Sequence, residues 1–168
     1  MKKLIFIFCL CTLLKVFPQS EGISAIGYVV ENINSSVEFY TNVIGMEPAG
    51  SFDLDSDWSR DAGAAGNKPF SVKMFRLGSG PEATVLKLAY FKQSAPRVAQ
   101  NALDSPAGIN YITLKYQNLH PVVRRAKEAG IPILGHVIRD SYQLVFIRDP
   151  DGLFLELVGP PEPPLVVD

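Results

Sequence analysis

The chain has 168 residues, 47% of them apolar, with 16 Lys and Arg against 17 Asp and Glu, a formal charge of −1. That length suits one compact unit or two small modules sharing a core, at roughly 100–200 residues per domain, and the apolar content supports a core without crosslinks. The lack of a basic excess argues against a nucleic-acid-binding role.

The opening MKKLIFIFCLCTLLKVFPQS reads as a secretory signal peptide. Lys2 and Lys3 precede an apolar run from Leu4 to Leu14, too short for a stable membrane span of roughly 20 residues. A buried first strand is the less favoured reading. Residues 1–20 are assigned to the signal, with a cut after 22 as the alternative. Cys9 and Cys11 follow Phe8 and Leu10 rather than small residues, which disfavours a lipoprotein anchor. Cleavage removes both cysteines, so the mature chain has no disulfide framework, thiol nucleophile or thiolate ligand. It also removes Lys2, Lys3 and Lys15, leaving 13 basic against 17 acidic residues and a charge of −4. A periplasmic or secreted location without a stable membrane anchor is expected, and the MKK start looks bacterial.

Next comes an internal repeat. AIGYVVENINSSVEFYTNVIG, from Ala25 to Gly45, matches YITLKYQNLHPVVRRAKEAG, from Tyr111 to Gly130, each an apolar strand followed by a helix ending at glycine. Asn34, Ser35 and Ser36 supply N-cap chemistry in the first copy, and Val37, Phe39, Tyr40, Val43 and Ile44 are spaced for one helical face. In the second, Pro121 suits a first turn and Val122, Val123 and Ala126 form the stripe. Three strand-like runs follow each helix, and the last two of the second copy are joined by the turn Asp149-Pro150-Asp151-Gly152.

The boundaries follow: a first module at 23–92, a linker at 93–107 with room for a short helical turn, a second module at 108–159 and a Pro-rich tail at 160–168. Ala25 to Lys87 spans 62 residues against 45 from Tyr111 to Glu156, an excess of 17. DSDWSRDAGAAGNKP, residues 55–69, accounts for most of it and is expected to be a long loop, either a binding lid around Trp58 or a surface insertion. The acids of SFDLDSDWSRD lack the glycine and terminal acid of an EF-hand loop. No Gly-rich phosphate loop or serine nucleophile elbow occurs.

NINSSVEFYTNVIGM and RDPDGLFLELV, in this tandem arrangement, resemble the vicinal oxygen chelate superfamily, which includes glyoxalase I, extradiol dioxygenases and the bleomycin and fosfomycin resistance proteins. The resemblance runs from about Ile23 to Gly159. It implies an α+β fold of two tandem βαβββ modules forming a cup-shaped mixed sheet, with helices packed outside. It also implies that metal, where the family holds one, is bound by His, Gln or Glu from the first and last strands of the modules. Carried over, those positions are Ala25, Lys87, Tyr111 and Glu156, of which only Glu156 matches.

Strand alternation assigns the faces independently. Leu153, Leu155 and Leu157 should pack on a helix while Phe154, Glu156 and Val158 face the cup. Likewise Leu86 and Leu88 oppose Val85, Lys87 and Ala89. A divalent transition metal takes three or more N, S or O donors; a methyl, an ammonium, a phenol and one carboxylate do not supply them, so no metal cofactor is expected. Lys87 is expected to neutralise Glu156, with Tyr111 as a third partner. The trio either orients a ligand or acts as acid and base, or it is a structural pair only. His120 reads as solvated at a helix start. His136 faces the cup or solvent, and in the cup would give a second donor beside Glu156.

The expected function is an exported, metal-independent, small-molecule-binding protein, with Phe154, Tyr111, Trp58 and His136 as candidate ligand contacts. The alternative is a lyase, isomerase or dioxygenase on the same scaffold, using a divergent divalent metal site or Glu156, Lys87 and Tyr111 alone. Glyoxalase I itself is disfavoured by the missing ligands. A third reading is a structural role with a filled cup. Dimers are common in the resembling family, which leaves a homodimer open.

Overall fold

The computed structural model describes residues 23–161 apart from 79, 81–82, 94–97 and 105–106. The signal peptide and most of the Pro-rich tail lie outside the described residues. In chain order the elements are β1 (Ala25–Val29), α1 (Ile33–Glu38) running on as a π-helical stretch (Phe39–Ile44), β2 (Glu47–Leu54) and α2 (Ser56–Asp61). A short 3-10 turn (Ala65–Asn67), β3 (Phe70–Arg76) and β4 (Val85–Tyr90) complete the first half. The second half holds β5 (Tyr111–Lys115), α3 (His120–Glu128), β6 (Gly135–Arg139), β7 (Tyr142–Arg148) and β8 (Phe154–Gly159).

Each half is strand, helix, three strands, with sheet orders β1-β4-β3-β2 and β5-β8-β7-β6. The outer pairs β1–β4 and β5–β8 are parallel, which the intervening helix permits, and the hairpin-connected pairs are antiparallel. This is the α+β arrangement of two tandem βαβββ modules.

Local chemistry sets the first helix. The Asn32 side chain accepts from the N–H of Asn34 and Ser35, and Gly45, at φ 84°, closes the other end in the left-handed region. One feature departs from the periodicity: the second half winds as a π-helix. Two consecutive apolar pairs, Phe39-Tyr40 and Val43-Ile44, are all buried there. The wider winding turns both members of each pair inward, where a regular α-helix would carry one sideways. In β2 the register shifts between Pro48 and Gly50, and Gly50 adopts φ 120° with Met74 Cε 3.0 Å from where a Cβ would stand.

Insertion 55–69 is more ordered than a loop. Asp55 caps α2 by accepting from the Trp58 N–H at 2.7 Å, Arg60 pairs with Asp57 and Asp61, and buried Ser59 donates to the Lys68 carbonyl at 2.7 Å. A polar, glycine-rich composition concealed an N-cap and one inward hydroxyl. Among the described residues of the linker, 93, 98–104 and 107, there is a turn and no helix.

One core serves both modules. Leu86, Leu88 and Phe75 from the first sheet and Val145, Ile147, Leu155 and Leu157 from the second join Tyr40, Val122, Val123 and Ala126 in a single buried cluster. Polar contacts tie the helices together, since Arg125 donates to the carbonyls of Val43 (2.8 Å) and Ile44 (3.2 Å), and the Tyr116 hydroxyl donates to Ile44 at 3.0 Å. Those carbonyls end the first helix and have no partner within it, so the second module caps the first.

Candidate functional site

Cross-strand register defines which side chains share the cup face. In the second sheet Tyr111, Phe154 and Arg148 form one row, and Thr113, Glu156 and Phe146 the next. In the first, Gly27, Lys87 and Met74 form a row beside Val29, Ala89, Val72 and Phe52. Ala25 stands opposite Val85, one row from Lys87. The four positions carried over from the family resemblance therefore all lie on the cup face.

The contacts differ from the expected pairing. Glu156 Oε2 accepts from the Thr113 hydroxyl at 2.6 Å, while Lys87 Nζ lies 5.9 Å from the centre of the Phe52 ring. Among the described residues no ion pair joins Lys87 to Glu156. Thr113 is the direct cross-strand neighbour of Glu156, so its short hydroxyl reaches the carboxylate without bending a long side chain across the cup. Tyr111 is half exposed and opposite Phe154 rather than Glu156.

His136 occupies the other face. It stands opposite Val145, which stands opposite Leu157, and its Nε2 lies 3.1 Å from Gln143 Oε1. Reaching Glu156 would require the opposite pleat, so the structure does not bring the two together. His120 is exposed at the start of α3, where the Asn118 side chain accepts from its backbone N–H. Trp58 is 47% exposed on α2 and packs edge-on against Phe70, which stacks on Phe91. Phe70 shares a face with Val72, so this aromatic group extends the cup wall of the first module.

The aromatic wall of the second module is Phe154, edge-on to Phe146, with the Arg148 guanidinium 4.4 Å above the Phe154 ring. Arg148 also donates to the Asn101 carbonyl at 2.8 Å, and its Nε–H is buried without a partner. A cavity of about 290 Å³ is lined by Ile26, Leu86, Ile112 and Leu155 from the helix face and by Val85, Thr113 and Lys115 from the cup face. The donor set at the cup positions does not fit a divalent transition metal: Ala25 has no donor atom and the Lys87 ammonium repels a cation. Among the described residues no group of three or more His, Cys, Asp and Glu converges.

A second carboxylate site was missed at sequence level. Asp149, in the turn before β8, is buried and accepts at Oδ2 from the hydroxyls of Tyr28 (2.5 Å) and Tyr40 (2.9 Å), and at Oδ1 from the Leu153 N–H (2.8 Å). The two hydroxyls are 2.6 Å apart. Burial pushes the Asp149 carboxyl up from its ordinary value, against the lowering effect of the two tyrosines, and burial also raises both phenols. Nearby Asp151 accepts from the Glu31 N–H at 2.8 Å and the Ser36 hydroxyl at 3.1 Å. The turn thus grips the β1–α1 junction of the first module. The signal available in sequence was a pair of acids in a turn facing a Tyr and a Ser on the first helix, legible only once the modules are docked.

Residues 22–157 match the model of the Glyoxalase/Bleomycin resistance protein/Dioxygenase superfamily. A lactoylglutathione lyase of Arabidopsis thaliana is 26% identical over 148 residues, covering 81% of this chain and 44% of the relative, so the chain spans less than half of that protein's length. A glyoxalase family protein of Bacillus cereus superposes with a TM-score of 0.66 at 20% identity, covering 83% of this chain and 94% of the other. The trypanothione-dependent glyoxalase I of Leishmania major does so at 0.60 and 22%, covering 83% and 87%. With the family model spanning both βαβββ modules and the cup between them, the chain belongs to the Glyoxalase/Bleomycin resistance protein/Dioxygenase superfamily.

Proposed function

We propose that this chain is an exported, metal-independent member of the superfamily that binds a small organic molecule in its cup. The observation that carries this is the cup's side-chain chemistry. Phe52, Met74, Phe146, Phe154 and Tyr111 supply apolar and aromatic wall, with Thr113, Glu156, Lys87, Lys115 and Arg148 as the polar groups on the same face. A mostly apolar concave site with a few placed polar groups is the general form of a small-molecule site. Export rests on the charged, short apolar N-terminus. Among the described residues no helix is long and apolar enough to cross a membrane.

Metal content of the protein purified from its exported compartment without chelators tests this reading, alongside Glu156→Gln. Substoichiometric metal in both is expected. Stoichiometric metal in the native protein that disappears in Glu156→Gln would overturn it and identify a metalloenzyme with a divergent ligand set.

A second reading is favoured by the likeness to a protein named as a lactoylglutathione lyase. Here the chain is a lyase, isomerase or dioxygenase in which Glu156, held by Thr113, acts as acid or base, with Lys87 or Tyr111 oriented by ligand. Formation of lactoylglutathione from glutathione and methylglyoxal by the native chain, abolished in Glu156→Gln, would favour it over a binding role. A homodimer is proposed on family grounds alone, and light scattering decides it.

A further inference from the structure

Building on the cup as a small-molecule site, we infer that its ligand is an anion carrying an aromatic or similarly flat apolar body. Three observations converge. Lys87, Lys115 and Arg148 lie on the cup face of β4, β5 and β7, and the single acid on the cup face of those strands and β8 is Glu156, which already accepts the Thr113 hydroxyl. A basic cup stands out in a chain whose overall charge is −1. Among the described residues none of the three cations has a carboxylate partner.

Two of the cations instead lie over aromatic faces, Lys87 over Phe52 at 5.9 Å and Arg148 over Phe154 at 4.4 Å. Such pairs hold the charged head beside the wall on which a flat ligand would stack. Arg148 is also anchored, since the same guanidinium donates to the Asn101 carbonyl at 2.8 Å, and an anchored cation is pre-oriented for a carboxylate or sulfonate. The charge pattern favours an anion in the cup, and the aromatic wall favours a flat body attached to it.

Two dyes of one ring system separate these claims: 1-anilinonaphthalene-8-sulfonate carries an anionic group, and N-phenyl-1-naphthylamine lacks it. Fluorescence titration of the full chain should give tighter binding of the sulfonate by about tenfold or more, the scale of one charged hydrogen bond. Lys87→Met and Arg148→Met should each remove most of that difference, weakening the sulfonate more than the neutral dye. Because Arg148 also braces the linker, Lys87→Met keeps the test decisive if Arg148→Met fails to fold. Gly27→Trp, which fills the cup beside Lys87, should abolish binding of both dyes.

Equal affinity for the two dyes, or a difference unmoved by both variants, would overturn the anion preference and leave the cup as a binding site. Binding retained in Gly27→Trp would put the dyes elsewhere and overturn the inference. Failure of both dyes to bind would instead overturn the cup reading, and the inference with it.

Discussion

Asp149 and Glu156 belong to the same closing hairpin, yet one is sealed against the helices and the other opens to the cup. Asp149 is 5% exposed and takes three hydrogen bonds, two of them from the other module. Glu156 is half-buried and takes one, from its strand neighbour. Family membership directs attention to Glu156 as the chemical residue, but the energetics favour Asp149. A carboxylate buried with its donors holds the architecture, and one beside open space remains available to a ligand.

The largest expected effect breaks this comparison directly. Asp149→Ala leaves the Leu153 N–H and the two tyrosine hydroxyls without their buried acceptor, and at about 1–3 kcal/mol per orphaned group the loss should reach roughly 3 kcal/mol. Glu156→Ala should cost less than about 1 kcal/mol, as for a partly exposed residue with one partner. Urea unfolding of both variants measures the gap, and comparable losses would dissolve the distinction.

Glycines probe the same two faces. A Cβ at Gly159 would stand 2.8 Å from Cγ of fully buried Leu119, whereas one at Gly27 would meet Lys87 Cβ at an ordinary 3.5 Å. Gly159→Ala should therefore destabilise by about 1–3 kcal/mol through overpacking. Gly27→Ala on the cup face should stay within about 0.5 kcal/mol. The contrast in thermal midpoints reports which face is packed.

Acid titration sharpens the comparison further. Three short oxygen contacts link Asp149 Oδ2, Tyr28 and Tyr40, and the two phenols supply only two hydrogens for them. An ionised Asp149 accepts from both phenols, and protonation of its carboxyl adds the third hydrogen. Because burial raises its carboxyl above the ordinary value, the folded state holds this proton more tightly than the unfolded chain. Its contribution is fully present below the unfolded carboxylate value, near 3.9, and is lost as pH rises through the raised folded value. Asp149→Asn should flatten that part of the stability profile, gaining on the native protein as pH rises. An unchanged slope would assign the pH dependence to other groups.

Much of this was legible in sequence, and the omissions share a cause. Alternation along LFLELV put Glu156 on the cup face and Leu155 on the helix face, because a period of two acts within one strand. The stop at Gly45 was equally local, whereas the cap fell at Asn32, ahead of the Asn34-Ser35-Ser36 run to which the sequence assigned it. What escaped were contacts set by register and docking: Thr113 as the partner of Glu156, the face of His136 in the mixed run GHVIR, and Asp149 reaching Tyr28 across 121 residues. A turn motif announces its backbone but not the module it will touch.

The smallest effect asks which residue is energetically joined to Glu156. Sequence reasoning favours Lys87 by charge, while the structure puts Thr113 at 2.6 Å and Lys87 over Phe52. Double-mutant cycles decide, because coupling energy appears only between groups that interact. Thr113→Val with Glu156→Gln should show coupling of about 0.5–1 kcal/mol, the scale of one partly solvated hydrogen bond. Lys87→Met with Glu156→Gln should be additive within about 0.3–0.5 kcal/mol. Strong coupling to Lys87 would mean that the ammonium crosses the cup in solution, restoring the charge pair and removing one of the cations available to an anionic ligand. Coupling confined to Thr113 leaves Lys87 free to meet that ligand.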